Sequence, residues 1–240
     1  MWEREQDTTL VNFGNASFLF GKVVPSYGGV SVEEFLQVEF PELAVGMLYF
    51  GEMHSDEAVV VDGVKKYSDH IGYMKSFACK GACTDKRRFK VITIDAKNYN
   101  AELLRSPDDP EYGAKVSYDQ QLQFSSPHVL RDVAKARAGF RHVERVSTGM
   151  WGCGQFKGNP YLKFLEQLVA ASQAGVDEFA FSAYGAPKVS VQCEQLLRQL
   201  QLSKRAPDDV LAFITDAREH DVAAFTSEDA FLERLQQWWK

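Results

Sequence analysis

The sequence predicts an α/β domain in the form of a three-layer α/β/α sandwich with a helical C-terminal tail. Short runs rich in β-branched and aromatic residues, several almost continuously apolar, read as strands buried on both faces. Helical patterns fall between and after them, the alternation that lays helices on a sheet. After Pro187 the chain turns wholly helical, which sets the tail apart.

The expected strands are Thr8–Phe13, Ala58–Asp62, Phe89–Asp95, Val143–Thr148 and Val176–Ser182. Val32–Phe40 reads as a helix, and Pro41–Tyr49 as a second, with proline at a tolerated first-turn position. His128–Arg137 is a third. Asn159–Ala174 carries the clearest signal: Asn159 can cap, Pro160 can open the first turn, and Leu162, Leu165, Leu168 and Val169 form one apolar stripe. Val189–Leu202, Pro207–Glu219 and Thr226–Trp238 are amphipathic, the last opening with a Thr226–Asp229 capping pattern. Leu104–Ser126, rich in Ser, Pro, Asp and Gln, reads as a long surface excursion. No Gly/Ser/Pro linker separates the tail from the body. One domain over 1–240 is expected, with a core over about 8–186 and helices over about 187–240 packed on it.

Composition supports a substantial core: 45% of the 240 residues are hydrophobic, including 17 Phe and 4 Trp. The net charge of −6 argues against direct DNA binding, which favours a basic excess. A local basic cluster, Lys86-Arg87-Arg88 with Lys90, is either a solvated loop entering a strand or a grip for a polyanion. The acidic, polar start Met1–Asp7 has no signal-peptide apolar run, and no stretch reaches membrane-span length. A cytoplasmic or nuclear location is expected, with no membrane contact. The four cysteines, Cys79, Cys83, Cys153 and Cys193, read as free thiols in a reducing compartment. Cys79 and Cys83 with His70 lack the second ligand pair of a zinc site, so no metal is expected.

The stretch that carries chemistry is Ser147-Thr148-Gly149-Met150-Trp151-Gly152-Cys153-Gly154-Gln155-Phe156-Lys157-Gly158, placed between a strand and the helix from Asn159. Glycines allow close backbone approach to a ligand, and successive amides can face an anion. The helix N-terminus adds partial positive charge suited to a diphosphate. Taken alone, such a loop can equally be a turn of the chain.

The residues themselves extend the match. Thr148-Gly149-x-Trp151-Gly152-Cys153-Gly154-x-Phe156-x-Gly158 is similar to the diphosphate loop of poly(ADP-ribose) glycohydrolases. Val11-Asn12-Phe13-Gly14-Asn15, followed by Val32-Glu33-Glu34 and Phe40-Pro41-Glu42-Leu43, resembles the family's strand and its glutamate-bearing helix. Tyr67-Ser68-Asp69-His70-Ile71-Gly72-Tyr73 resembles the segment that covers the ribose. The landmarks occur in the family's order, from about Thr9 to Ser182, with a thinner echo at Asp208-Asp209-Val210. The chain is thus identified as a divergent member of the family's catalytic macrodomain, without the helical accessory domain that precedes it in animal members.

The resemblance implies a macrodomain-like sandwich with a mixed central sheet. It also implies hydrolysis of ribose–ribose O-glycosidic bonds in poly(ADP-ribose), with Glu34 as general acid/base and Glu33 as its paired carboxylate on a ribose hydroxyl. A carboxylic acid protonates the departing oxygen while an oxocarbenium-like centre develops, and the resulting carboxylate activates water. Two close acids also resist joint ionisation. The plain alternative is a pair of solvated acids in a helix's first turn. Substrate contacts are implied at Asn12, Phe13, Asn15, Tyr73, Gly149, Trp151, Gly152, Cys153, Gly154, Gln155, Phe156 and Phe181. Among these, Phe13 and Phe181 are expected near the adenine and ribose, Tyr73 over the scissile ribose, Phe156 beyond the loop, and Trp151 as an anchor. Phe181 is as readily a core residue. The implied partner is poly(ADP-ribose) or an ADP-ribosylated protein, bound by a monomer with no cofactor.

The family's triple glycine is replaced by Phe20-Gly21-Lys22-Val23-Val24-Pro25, with Gly28-Gly29 nearby. Asn12 stands for an aspartate, Met150 for an asparagine and Val32 for a glutamine. These departures leave a second function open, a non-enzymatic reader of ADP-ribose. A scaffold that uses the Pro187–Lys240 helices and an exposed Trp238-Trp239 is a third.

Overall fold

The computed structural model describes residues 8–18, 30–101, 106–110, 118–216 and 228–238. Its central sheet holds β1 (Thr9–Gly14), β2 (Val59–Lys65), β5 (Arg88–Asp95), β6 (Arg145–Gly149) and β7 (Glu178–Ser182), in the order β2-β5-β1-β6-β7. β5, β1, β6 and β7 run parallel and β2 is antiparallel at the edge, so the sheet is mixed. The expected strands are all present, with ends shifted by a few residues.

Alternation along the strands gives each face its own core. Leu10 and Val91 point to one side, where they pack with Leu36 of α1 (Val32–Glu39) and with Phe40 and Leu43. Val11, Ile92, Ile94 and Val146 point to the other, against α3 (Ser126–Phe140) and α4 (Pro160–Ala174). The tail helices α5 (Pro187–Ser203), α6 (Pro207–Thr215) and α7 (Glu228–Trp238) add Val189, Leu196, Val210, Ile214 and Leu235 to this second cluster. Helix α4 is therefore enclosed between sheet and tail. Its Lys163, Glu166 and Gln167 are buried along with Leu162, Leu165 and Val169 of the expected apolar stripe, whereas Leu168 is half-buried. Asn159 caps it, with Oδ1 accepting from the amides of Tyr161 and Leu162 at 3.0 Å. Gly175 closes it in the left-handed region at φ 76°.

Several expectations change. Pro41–Leu48 is a 3-10 rather than an α-helix; its coil presses Gly46 onto Phe18, where a Cβ would lie 2.4 Å from the ring. The Leu104–Ser126 region is not wholly a surface excursion. Residues 118–122 form the short helix α2 (Tyr118–Leu122), and Gln123 and Phe124 are buried. A hairpin of β3 (Ser68–Ile71) and β4 (Ala78–Ala82) stands apart as a two-stranded sheet, and no sequence pattern announced it. All of β4 is exposed, so it lacks the apolar alternation that marks a strand. Trp238 is not an exposed partner surface: its ring stacks on Phe213 at 4.5 Å and lies under the Arg205 guanidinium at 4.0 Å. Phe20–Pro25, Gly28-Gly29, Thr226 and Trp239 lie outside the described residues. Among the described residues no helix is long and apolar enough to cross a membrane.

Candidate active site

The ladder between β1 and β6 stops at Leu10↔Ser147, whereas β1–β5 pairing runs on to Gly14↔Asp95 and β6–β7 pairing to Gly149↔Ser182. The two central strands thus part at their carboxyl ends. The chain leaves β1 for α1 on one face and leaves β6 for α4 on the other. This is the switch point at which open α/β sheets form a ligand crevice.

One wall is the segment that joins β6 to α4. Gly149 cannot carry a side chain, because a Cβ there would sit 2.7 Å from the Ser182 carbonyl oxygen and 3.6 Å from Phe13 Cζ. Gly152, at φ +71°, faces Ala96, which a Cβ would meet at 2.6 Å. The loop is tied internally by Gly158 N to Gly152 O at 2.9 Å. It is buttressed from outside by Tyr99 N to Phe156 O at 2.9 Å and Asn100 Nδ2 to Gln155 O at 2.8 Å. Gln167 Nε2 donates to Gly149 O at 3.0 Å. The amides of Gly154, Gln155 and Phe156 have no acceptor among the described residues, and Gly154 and Gln155 are exposed.

Beneath this loop lies a buried ionic network. Lys163 reaches both Asp132 and Glu166, and its Nζ lies 5.1 Å from the Trp151 ring. Arg131 joins Asp132 at 2.6 Å and Asp95 at 2.5 Å, and Lys135 completes the Asp95 pairing. Burial opposes the charge on Lys163, but Asp132 and Glu166 outweigh it and hold the ammonium protonated. Burial also works against the Asp132 carboxylate, yet Lys163 and Arg131 keep its pKa below the ordinary range. Glu166 differs: burial prevails over Lys163 and pushes its carboxyl up to about 8.

The opposite wall begins at the first turn of α1. Glu33 is buried, and its Oε1 accepts from the amide of Asn15 at 3.3 Å. Gly14 makes room for it, since a Cβ there would lie 3.2 Å from that oxygen and 2.6 Å from Thr93 Cγ2. Glu34 is half-buried, and its Oε2 accepts from the Ser31 amide at 2.8 Å and from the Ser31 hydroxyl. The β3–β4 turn brings Tyr73 alongside. Burial, and then the Glu34 charge, raise its phenol above the ordinary tyrosine value. Its ring meets that of Tyr184 edge to face at 6.3 Å.

The described fold and this crevice accompany a sequence match over residues 2–191 to the family described as Poly (ADP-ribose) glycohydrolase (PARG), Macro domain fold. This chain belongs to the poly(ADP-ribose) glycohydrolase family. It is 31% identical over 198 residues to the Arabidopsis thaliana protein named Probable poly(ADP-ribose) glycohydrolase 2, covering 69% of this chain and 38% of the relative. It is 27% identical over 214 residues to Poly(ADP-ribose) glycohydrolase 1 of Caenorhabditis elegans, covering 82% of this chain and 26% of the relative. The chain therefore spans well under half the length of these curated relatives. A solved poly(ADP-ribose) glycohydrolase from Deinococcus radiodurans, in complex with ADP-ribose, is 18% identical, with a TM-score of 0.48 over 82% of this chain and 77% of that one.

Within the glycohydrolase frame, Phe13, Asn15, Glu33, Glu34, Tyr73 and the Gly149–Phe156 loop gather around the carboxyl ends of β1 and β6. Others of the expected contacts point elsewhere. Asn12 is fully buried on β1, where its Nδ2 donates to Thr93 Oγ1 at 3.2 Å and its Oδ1 has no partner among the described residues. Trp151 is also fully buried, with Lys163 Nζ 5.1 Å from its ring. Phe181 packs edge to face on Phe164 of α4 at 5.1 Å and is half-buried. Cys153 is half-buried, its thiol directed at the Trp151 carbonyl oxygen at 3.4 Å. The basic cluster is engaged locally: Arg87 with Asp85 at 2.6 Å, Arg88 with the Gly63 carbonyl oxygen at 3.0 Å, Lys90 with Asp62 at 3.2 Å. Among the described residues no group of three or more His, Cys, Asp or Glu side chains is placed to hold a metal. Sequence reasoning missed Tyr184, the Tyr99–Asn100 buttress and the Lys163 network. Of these, only Tyr184 had a signal, as an aromatic beside Gly185 just past a strand end.

Proposed function

We propose that this chain hydrolyses the ribose–ribose O-glycosidic bond of poly(ADP-ribose) and releases ADP-ribose. Glu34, protonated, gives its proton to the departing ribose oxygen as the anomeric C–O bond breaks. The resulting carboxylate takes a proton from the water that attacks the oxocarbenium-like carbon. Glu33 accepts from a ribose hydroxyl. Amides of Gly154, Gln155 and Phe156 donate to the diphosphate, and the N-terminal end of α4 adds its partial positive charge. One observation carries the reading: β1 and β6 separate at their carboxyl ends, with the glutamate pair on one side of the gap and, on the other, loop amides that have no acceptor among the described residues. Membership of the family supports the same chemistry.

A second reading is a reader module that binds ADP-ribose without turnover. It is favoured by the Glu34 carboxylate, which the Ser31 amide and hydroxyl hold as an acceptor at the helix start. ADP-ribose release from poly(ADP-ribosyl)ated protein, measured with the native chain and Glu34→Gln, separates the two, with calorimetric binding on the same samples. Release that disappears in Glu34→Gln while binding persists is the expected result. Binding without release by the native chain sinks the hydrolase and leaves the reader.

A further inference from the structure

We propose that His70 is a positioning residue of this site, a clasp that fixes the Tyr73-bearing turn to helix α1 and so sets Tyr73 against Glu34. The proposal rests on the hydrolase reading above for its catalytic consequence, and on geometry for the rest.

The hairpin β3–β4 is not hydrogen-bonded into the central sheet. It is held against α1 instead. At the start of α1, Val30 and Met74 exchange backbone hydrogen bonds at 2.9 and 3.3 Å. At its end, Tyr67 N donates to Glu39 O at 2.8 Å and Ser68 Oγ to Val38 O at 3.0 Å. Between these fastenings sits His70. Its ring is stacked on Phe35 of α1 at 4.6 Å and on Phe77 of the returning turn at 5.4 Å. Its Nδ1 lies 2.5 Å from Oε1 of Glu39, which is 1% exposed. The carboxylate can only accept, so Nδ1 carries the proton and the ring is fixed in rotation as well as in place. Lys66 meets the same oxygen at 3.2 Å and Asp69 at 3.0 Å, which keeps the Glu39 charge compensated on the hairpin side.

The clasp joins α1 and the turn next to the residues that are proposed to react. Glu34 precedes Phe35, and Tyr73 lies between His70 and Phe77 in the chain. A side chain that touches neither ligand nor reacting atoms thereby governs how the Tyr73 ring meets the Glu34 carboxylate. Small misplacements of such groups cost catalysis far more than they cost binding.

The test compares the native chain with His70→Ala, His70→Phe and Phe77→Ala. Tyr73 is followed by the pH titration of 13C-labelled tyrosine ring signals, assigned with Tyr73→Phe. Binding of ADP-ribose is followed by calorimetry, and release from poly(ADP-ribose) by kcat and KM. In His70→Ala and Phe77→Ala the Tyr73 titration moves down towards the ordinary phenol value. In the same variants kcat falls roughly ten- to a hundredfold, while ADP-ribose affinity stays within about twofold, since the diphosphate loop is untouched. His70→Phe, which keeps the stack and loses the Glu39 bond, recovers part of kcat. An unmoved Tyr73 titration in both alanine variants overturns the clasp, and so does a displaced Tyr73 with unchanged kcat. A native chain that binds but releases nothing overturns the hydrolase reading instead, and the Tyr73 titration then decides the clasp by itself.

Discussion

The ring of Tyr73, on the turn between β3 and β4, meets the ring of Tyr184, just past β7, edge to face with centroids 6.3 Å apart. Residues 111 positions apart in the chain thus span the mouth of one crevice, and Tyr184 remains 65% exposed. Replacing Tyr184 by Ala is expected to leave stability within about 0.5 kcal/mol, as at most surface positions. It should weaken the binding of ADP-ribose by roughly 1 kcal/mol through loss of an aromatic face. Denaturant unfolding and calorimetry on the same variant check both, and unchanged affinity removes Tyr184 from the site.

Gly152 and Gly154 separate the structural role of the loop from its binding role. Gly152→Ala places a Cβ at φ +71° against Ala96 and is expected to destabilise by at least about 1–2 kcal/mol. Around Gly154 nothing lies within 4 Å, and its φ is not in the left-handed region, so Gly154→Ala folds normally. With the diphosphate bound at the loop amides as proposed, that methyl crowds the ligand, so ADP-ribose affinity should fall while the melting temperature holds. Retained affinity in Gly154→Ala contradicts the assignment of the loop to the diphosphate.

Lys163 is the centre of the network under the loop, so Lys163→Met leaves the buried Asp132 with Arg131 alone. A loss of about 3–5 kcal/mol in denaturant unfolding is expected, since breaking a buried ion pair leaves an uncompensated charge. Part of it should return in Lys163→Met combined with Asp132→Asn, where both charges are gone. A double variant no more stable than the single one argues that the pairing is not what holds the loop.

Glu166 predicts the pH dependence of stability. Burial raises its folded pKa to about 8, above the ordinary 4.5 that it regains on unfolding. Between those values the folded protein keeps a proton that the unfolded chain has released. Its stabilising contribution is complete below the lower value and is lost as pH rises through the upper one, by at most about 1.4 kcal/mol per pH unit. Glu166→Gln should flatten that part of the profile of unfolding midpoint against pH. Asp132 acts at the acidic end with the opposite sign: its lowered pKa contributes stability that is lost as pH falls. An unaltered slope in Glu166→Gln removes the assignment.

Features written in neighbouring residues were legible. Asn159 and Pro160 open α4 as their types require, because a cap satisfies the amides two and three residues on. The glycines of Gly149–Gly158 announced a close-packed turn, and the paired glutamates after Ser31 announced a helix start. Lys163 and Glu166, by contrast, looked like the polar face of an amphipathic helix. They are buried because Asp132 of α3, Tyr99 and Trp151 close over that side of the helix, which periodicity along α4 alone does not record. Trp238 read as exposed for the converse reason: the ring and guanidinium that cover it, Phe213 and Arg205, lie on other parts of the tail.

By itself the sequence determined the five strands of the central sheet, most of the helices, the α/β class and the family, since each follows from local periodicity, caps or contiguous motifs. Tertiary structure alone decided which of those residues face the crevice. It turned Asn12 and Trp151 inward, brought Tyr184 to Tyr73, and placed His70 between Phe35 and Phe77. The physical reason is that a strand's carboxyl end becomes a wall only where its neighbour departs from it. The separation of β1 from β6 comes from helices on opposite faces that pull the two chain segments apart, and no run of adjacent residues encodes that.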